Sequence, residues 1–364
     1  MPKSSRLILP RKVMSVRGCK VLENVLSPAH VWCKVLSYDD PVSVYLHTPF
    51  CERRCLFCRF YSVGTKAEYM KSRFIIALEN ELLLANSLID LKRLNIEAIS
   101  IGGGTPLELS VLHLSTLLAI LKRYLNVRVA PAIEYSIEIN PYDAIRLQTF
   151  LEKLELLRTF NVNRLSFGVQ SLDDQVLKAN GSRHTAADVT ECVGIARECG
   201  FRNVNVDLIF GLAKQSLRSW EDTLCRICKL HPEHVSLFAL KSISDKSLLQ
   251  HSESLNGRNR ESWVNIAQRF LGNEGYTEYF PRAFACSKEF AYKYEVNTFV
   301  FRKAVLGFGP GSITWAGQFC YRNVRDLTRY EELLKSCILP IDADTIHYPC
   351  DNFLSRLAYF GGTT

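Results

Sequence analysis

The feature that most constrains this chain is an alternation. Between Val42 and Leu240, short runs rich in β-branched and aromatic residues give way repeatedly to amphipathic stretches of helical period. The runs fall at 42–47 (Val-Ser-Val-Tyr-Leu-His), 97–101, 134–139, 163–168, 203–209 and 234–240. The helical patterns lie near 67–94, 107–125, 143–159, 186–199 and 216–229. Strands that alternate with helices form parallel βα units, because each helix carries the chain back to start the next strand in the same direction. Six units do not close an eight-stranded barrel. The expectation is an α/β fold: a partial (βα)6 TIM-like barrel over residues 43–241, after an irregular lead-in (1–42) and before a short C-terminal extension (242–364).

The unusual residues collect at one edge of this map. Cys51–Cys58 follows the first strand, Gly102-Gly103-Gly104-Thr105-Pro106 the second, and Glu138 with Asn140-Pro141 ends the third. Gln170 follows the fourth, Asp207 and Gly211 end the fifth, and Lys241 follows the sixth. All are assigned to the carboxyl ends of strands, the rim on which barrel enzymes build their active sites.

The chemistry is set by three cysteines, Cys51, Cys55 and Cys58, spaced C-x3-C-x2-C. Thiolates this close suit one iron–sulfur cluster. A four-iron cluster held by three of them keeps one iron open for a substrate or cofactor, whereas structural zinc sites fill every position with protein. Zinc knuckles favour paired C-x2-C motifs, and no matching Cys/His pair lies nearby. A second C-x2-C, Cys225 and Cys228, falls in a helical stretch without a partner pair and reads as ordinary thiols. The glycines after the second strand leave backbone amides and carbonyls open to a small zwitterion. The spacing G-x-G-x-x-G of a dinucleotide site is absent there. Glu138 has the charge to bind an ammonium group, and Asp207 to bind ribose hydroxyls. Each also has a plain reading as a helix cap or ion-pair partner. Leu306-Gly307-Phe308-Gly309-Pro310-Gly311-Ser312-Ile313 reads as a second close-approach loop or a tight turn.

Bulk properties narrow the class. Hydrophobic residues make up 47% of 364, enough for a sizeable core, and no run of about 18 apolar residues suggests a membrane span. No secretory signal is evident, so the 13 cysteines are expected to be reduced in a cytoplasmic chain rather than paired. The net charge of +8 is modest, and Arg53, Arg54 and Arg59 place part of it beside the cysteines, where it would attract an acidic substrate or electron donor. No basic tract interleaved with aromatics points to nucleic acid.

Together these motifs resemble the radical S-adenosylmethionine (SAM) superfamily over roughly residues 40–315. Within it, Tyr45-x-His47-x-Pro49-Phe50-Cys51, Gly102–Pro106, Ser136–Pro141, Arg164–Ser171 and Asn205–Leu212 resemble the oxygen-independent coproporphyrinogen III oxidase family, which includes oxidases, haem chaperones and methyltransferases. The resemblance implies a 4Fe-4S cluster on Cys51, Cys55 and Cys58, whose open iron chelates SAM. One electron cleaves the sulfonium to methionine and a 5′-deoxyadenosyl radical, which abstracts hydrogen from a substrate. By motif, Tyr45, Gly103, Gly104, Thr105, Glu138, Gln170 and Asp207 would contact that SAM. Phe57, Lys241 and Ile313 would approach a second SAM or the substrate. The implied partners are a small molecule such as a tetrapyrrole and a reductant such as flavodoxin or ferredoxin.

The departures from the pattern are specific. Phe60 stands where oxidases carry a further cysteine. Val296-Asn297-Thr298-Phe299-Val300-Phe301 stands where chaperones carry a haem-ligating His. Gly181-Ser182-Arg183-His184 places the arginine one residue late, and the C-terminal helical domain reads as truncated. The expected function is a radical SAM enzyme of porphyrin or haem metabolism. The alternatives are a methyltransferase using two SAM molecules and a haem chaperone.

Overall fold

The structure, a computed structural model, describes Trp32 and residues 36–64, 67–125, 133–142, 149–240 and 257–347. Lys241, the start of the helix expected at 143–159, and nearly all of the lead-in lie outside the described residues. The alternation resolves into β1 (Pro41–Thr48), α1 (Glu68–Leu88), β2 (Asn95–Gly103), α2 (Val111–Tyr124), β3 (Glu134–Ile139), α3 (Phe150–Thr159) and β4 (Arg164–Gln170). It continues with α4 (Asp174–Ala179), α5 (Ala186–Glu198), β5 (Val204–Phe210), α6 (Leu217–Leu230) and β6 (His234–Ala239).

Local chemistry starts these helices where the sequence supplies caps. Ser110 accepts from the His113 amide at the head of α2. Thr185 and Asp188 form a reciprocal capping box on α5, satisfying two amides that a helix start leaves without partners. Side chains at helical spacing then face the sheet. Phe74, Leu78, Leu82 and Ala85 of α1 are all fully buried, and each such leucine contributes about 1.5–3 kcal/mol through burial. β2 is buried along most of its length, as a strand covered on both faces requires.

β1 to β6 pair in sequence order, each parallel to the next. The sheet does not stop there. After α7 (Gly257–Asn273), the hairpin β7 (Thr277–Phe280) and β8 (Ala283–Ala285) adds antiparallel to β6. The chain then crosses to the far side of β1, where β9 (Ala304–Phe308) pairs parallel with it. β10 (Ile313–Ala316), β11 (Phe319–Asn323) and, after α8 (Leu327–Lys335), β12 (Ile341–His347) extend that edge antiparallel. The order is β12-β11-β10-β9-β1-β2-β3-β4-β5-β6-β8-β7, an open twelve-stranded sheet whose parallel centre is the expected partial barrel. β9 was hidden in the sequence because Gly307 and Gly309 depress strand propensity and read as a turn.

The crossing segment is pinned to β2 and β3. The amides of Lys293 and Tyr294 donate to the Glu134 carboxylate at 3.1 and 3.2 Å. The Tyr292 hydroxyl donates to Ser100 at 2.8 Å, and Asn297 donates to Glu97 at 3.0 Å. Residues Val296–Val300 form a π-helical turn. Among the described residues, no helix is long and apolar enough to cross a membrane.

Candidate active site

The loop after β1 carries the three cysteines and is tied down at both ends. The Val63 amide donates to Pro49 O at 2.6 Å and the Cys51 amide to Val63 O at 3.2 Å. His47 fixes the far side: its Nε2 lies 2.8 Å from Tyr61 O. A carbonyl only accepts, so Nε2 carries the proton and Nδ1 accepts from the Tyr45 hydroxyl at 3.3 Å. Burial pushes the His47 pKa down to about 4, which keeps that ring neutral. Within the loop, the Cys58 amide donates to Cys55 O at 3.1 Å, and Arg54 donates to Cys58 O through Nε and Nη2. All three cysteines are partly exposed, and none of the described cysteines forms a disulfide. Phe57 sits partly buried in the turn between Cys55 and Cys58, and Phe60 is 51% exposed.

The glycines after β2 press against this loop. The Gly104 amide donates to Thr48 O at 2.7 Å and the Thr105 amide to Phe50 O at 2.6 Å. Gly103 has φ +108°, a conformation for glycine, and a Cβ there would stand 2.6 Å from the His47 ring. A Cβ on Gly102 would stand 2.5 Å from the Glu138 carboxylate. The glycines are thus what allows β1, β2 and β3 to bring His47, the amides and Glu138 into one place. Thr105 Oγ1 lies 3.8 Å from Cys51 Sγ, joining the glycine turn to the first thiol.

Glu138 lies deep among protein atoms yet retains accessible surface. Among the described residues its one protein hydrogen bond comes from the Gly103 amide at 3.1 Å. Burial and the charge of Asp207 push its pKa up to about 7. A carboxylate in this state lacks a cation. Asp207 differs from expectation: it lies inside β5 rather than at its end, and its carboxylate accepts from Ser166 Oγ at 3.0 Å and Asn205 Nδ2 at 2.7 Å. Burial raises its pKa also. Gln170 ends β4 at φ +60°, where the register with β5 shifts. Tyr45 lies close enough to Glu138 and Cys58 for their charges to add to the burial that raises its pKa. Tyr45, Cys51, Cys58, the Gly102–Thr105 turn, Glu138 and Asp207 therefore form one neighbourhood. Ile313 belongs to a separate small cluster, packed against Phe299, Trp315 and Cys320.

Sequence reasoning missed what holds the loop laterally. Arg183 donates to Glu52, inside the cysteine loop, and to the Tyr142 hydroxyl, with its guanidinium 3.8 Å over the Tyr142 ring. These partners are 131 and 41 residues away, so nothing in local spacing announces them. The arginine one place out of the family pattern is thus a clamp between the chain after β3, the chain after α4 and the cysteine loop.

The donor set suits an iron–sulfur cluster. Three thiols project from one short loop, and Arg54 offsets part of the burial that raises the Cys58 pKa. Among the described residues, no three His, Cys, Asp or Glu side chains converge as around a single ion. Cys51, Cys55 and Cys58 are the residues that would hold a cluster, as three separate thiolates rather than around one ion. Beside it, the Glu138 carboxylate and the Gly102–Thr105 backbone suit a zwitterion's ammonium and carboxylate.

The family profile described as the radical SAM superfamily matches residues 45–226, half of the 364-residue chain. The haem chaperone HemW of Bacillus subtilis is 36% identical over 198 residues, covering 54% of this chain and 50% of the chaperone. The oxygen-independent coproporphyrinogen III oxidase of Salmonella typhimurium is 27% identical over 307 residues, 80% of this chain and 65% of that one. This chain thus spans between half and about two thirds of the length of these relatives. The solved structure of coproporphyrinogen III oxidase (HemN) from Escherichia coli, described as a radical SAM enzyme, superposes with a TM-score of 0.74 at 24% identity, over 87% of this chain and 74% of that one. The matched segment runs through the cysteine loop, the glycine turn and Glu138, and on it the chain belongs to the radical SAM superfamily.

Proposed function

We propose that this protein is a radical SAM enzyme of coproporphyrinogen-oxidase type, holding a 4Fe-4S cluster on Cys51, Cys55 and Cys58 and acting on a tetrapyrrole or similar small molecule. The observation that carries the reading is Glu138: a half-buried carboxylate with one protein hydrogen bond, beside a glycine turn that touches the cysteine loop. When bound, the cluster supplies one electron to SAM and yields a 5′-deoxyadenosyl radical. The chain's own residues do the holding. Glu138 takes the SAM ammonium, which stabilises its ionised form against the burial that otherwise favours protonation. The Gly103–Thr105 backbone lines the methionine end, Asp207 addresses the ribose, and Tyr45 and Gln170 bound the adenosine side. Phe57, Ile313 and Lys241 remain candidates for the substrate side or a second SAM. Arg53, Arg54 and Arg59, all exposed or nearly so beside the thiols, suit an acidic reductant such as flavodoxin or ferredoxin.

Anaerobic reconstitution with iron and sulfide, followed by dithionite and SAM, tests the reading. 5′-Deoxyadenosine is the expected product, and the Cys51/Cys55/Cys58→Ala protein should lose the cluster's broad visible absorbance. A full cluster in that triple variant sinks the assignment. Decarboxylated porphyrin marks an oxidase, and S-adenosylhomocysteine with a methylated product marks the methyltransferase alternative.

The chaperone alternative rests on the HemW relative, and residues 296–301 speak against it. Val296 offers no iron ligand, Asn297 is committed to Glu97, and Phe299 stacks on Phe280 with ring centroids 5.9 Å apart. Haem titration is expected to give no stoichiometric complex. A one-to-one Soret band surviving gel filtration restores the chaperone reading.

A further inference from the structure

Below Asp207 a hydrogen-bonded row continues through the sheet interior. Asn205 Nδ2 donates to Asp207 at 2.7 Å and to Ser166 Oγ at 2.6 Å. Its amide nitrogen must face the carboxylate, since the reverse orientation sets oxygen against oxygen. Asn205 Oδ1 therefore faces away, and it lies 2.6 Å from His234 Nδ1 and 3.2 Å from Ser236 Oγ. An amide oxygen only accepts, so His234 Nδ1 bears a proton. His234 Nε2 lies 2.7 Å from the Tyr279 hydroxyl, which reaches Glu295 at 3.0 Å. His234 is 0% exposed and Asn205 2%. The other ionisable groups around this row are Arg164, itself 0% exposed, with Tyr292 and Glu134. His234 is fully buried and lies two hydrogen bonds from Asp207, and an apolar residue would fill the same space. The polarity of the row is what an imidazole adds.

We infer that His234 is a positioning residue: held as the Nδ1–H form, it orients Asn205, and Asn205 in turn fixes the angle at which Asp207 addresses the ribose of SAM. This rests on the proposed role of Asp207 as a SAM contact. Acting through a neighbour rather than on the ligand, it resembles the partners that orient metal ligands, whose loss costs about 10–100-fold in affinity.

Two substitutions separate positioning from packing. The His234→Asn amide reaches only the Nδ1 position and keeps the donor to Asn205. The His234→Gln amide reaches the Nε2 position and keeps the contact to Tyr279 but loses Asn205. In reconstituted protein of unchanged iron content, His234→Asn is expected to bind SAM within about threefold of wild type, and His234→Gln about tenfold more weakly. A packing role predicts the opposite order, because Asn leaves the larger void. Equal SAM affinity in both variants, or a weaker Asn variant, overturns the inference. A second readout needs no cofactor: nitrogen-15 NMR of imidazole-labelled wild-type protein should show Nδ1 protonated in one buried histidine, assigned by its loss in His234→Gln. A bare Nδ1 overturns the inference whether or not SAM binds, whereas a protonated Nδ1 with no SAM binding in wild type fails the functional reading alone.

Discussion

Two glutamates, one buried and one half-buried, flank the carboxyl end of β1, and they have been finished differently. Glu81 on α1 is 2% exposed. It accepts from the Gly309 amide at 2.8 Å, from Asn323 Nδ2 at 2.5 Å and from the Tyr330 hydroxyl at 2.5 Å. Glu138 has one protein donor and keeps accessible surface. Burial lifts both pKa values to about 7. At Glu81 three protein donors offset part of a larger burial cost, and at Glu138 a single amide does so. Glu81 fastens the loop after β9 to α1, β11 and α8 and is complete. Glu138 has only the Gly103 amide, and under the proposed function a cation from SAM completes it. The contrast separates a carboxylate that holds the fold from one that the proposed function assigns to a ligand, although their pKa shifts are alike.

Glutamine in each position should give opposite results. Glu81→Gln sets an amide donor among three donors, so at least one buried group loses its partner. The expected cost is about 2–3 kcal/mol of unfolding free energy by denaturant titration, with SAM affinity unchanged in the folded fraction. A Glu81→Gln protein as stable as wild type breaks the comparison, since it means that Glu81's donors are easily satisfied elsewhere.

Glu138→Gln should do the reverse. Its one donor, the Gly103 amide, still finds the amide oxygen, and a buried charge disappears, so the cofactor-free protein should be no less stable at pH 8 than wild type. The loss falls on binding. A charge-assisted hydrogen bond to an ammonium group is worth about 1.5–3 kcal/mol, so SAM affinity should drop roughly tenfold or more with the cluster retained. Unchanged SAM binding in calorimetry assigns Glu138 a structural role and erases the distinction from Glu81.

These two residues also mark what the sequence could say. Glu138 was legible because it ends a strand predicted from period-2 patterning, in line with the cysteines and the glycine turn. The parallel order of β1 to β6 was legible for the same reason, since strand and helix periods alternate without interruption from Val42 to Leu240. Glu81 was not legible. It sits in a helix that reads as amphipathic, and its donors come from residues 228, 242 and 249 positions away. Asp207 was expected at the end of its strand but lies inside β5. Strand boundaries shift by a residue or two in any reading, and in a strand one residue changes the face a side chain takes. The clamp of Arg183 on Glu52 and the row from Asp207 to His234 were missed entirely, because tertiary pairing leaves no periodic trace.

The finest test removes one of Glu81's three donors. Tyr330→Phe deletes the hydroxyl and little else, and the ring stays packed under α1. Glu81 has a folded pKa raised from 4.5 to about 7, so its contribution to stability is present in full below 4.5 and is lost as pH rises through about 7. The Tyr330 hydroxyl donates to the ionised form and limits that loss. Without it the ionised form is less favourable still, so the variant should lose more stability than wild type between pH 5 and pH 8. The expected cost is about 1 kcal/mol at pH 5, where a neutral hydrogen bond is lost, and about 1.5 kcal/mol at pH 8, where the acceptor is charged. Parallel urea titrations at the two pH values measure the difference. A cost that shrinks as pH rises contradicts the assignment of Tyr330 as a donor to the Glu81 carboxylate, and with it the claim that protein groups alone complete this site.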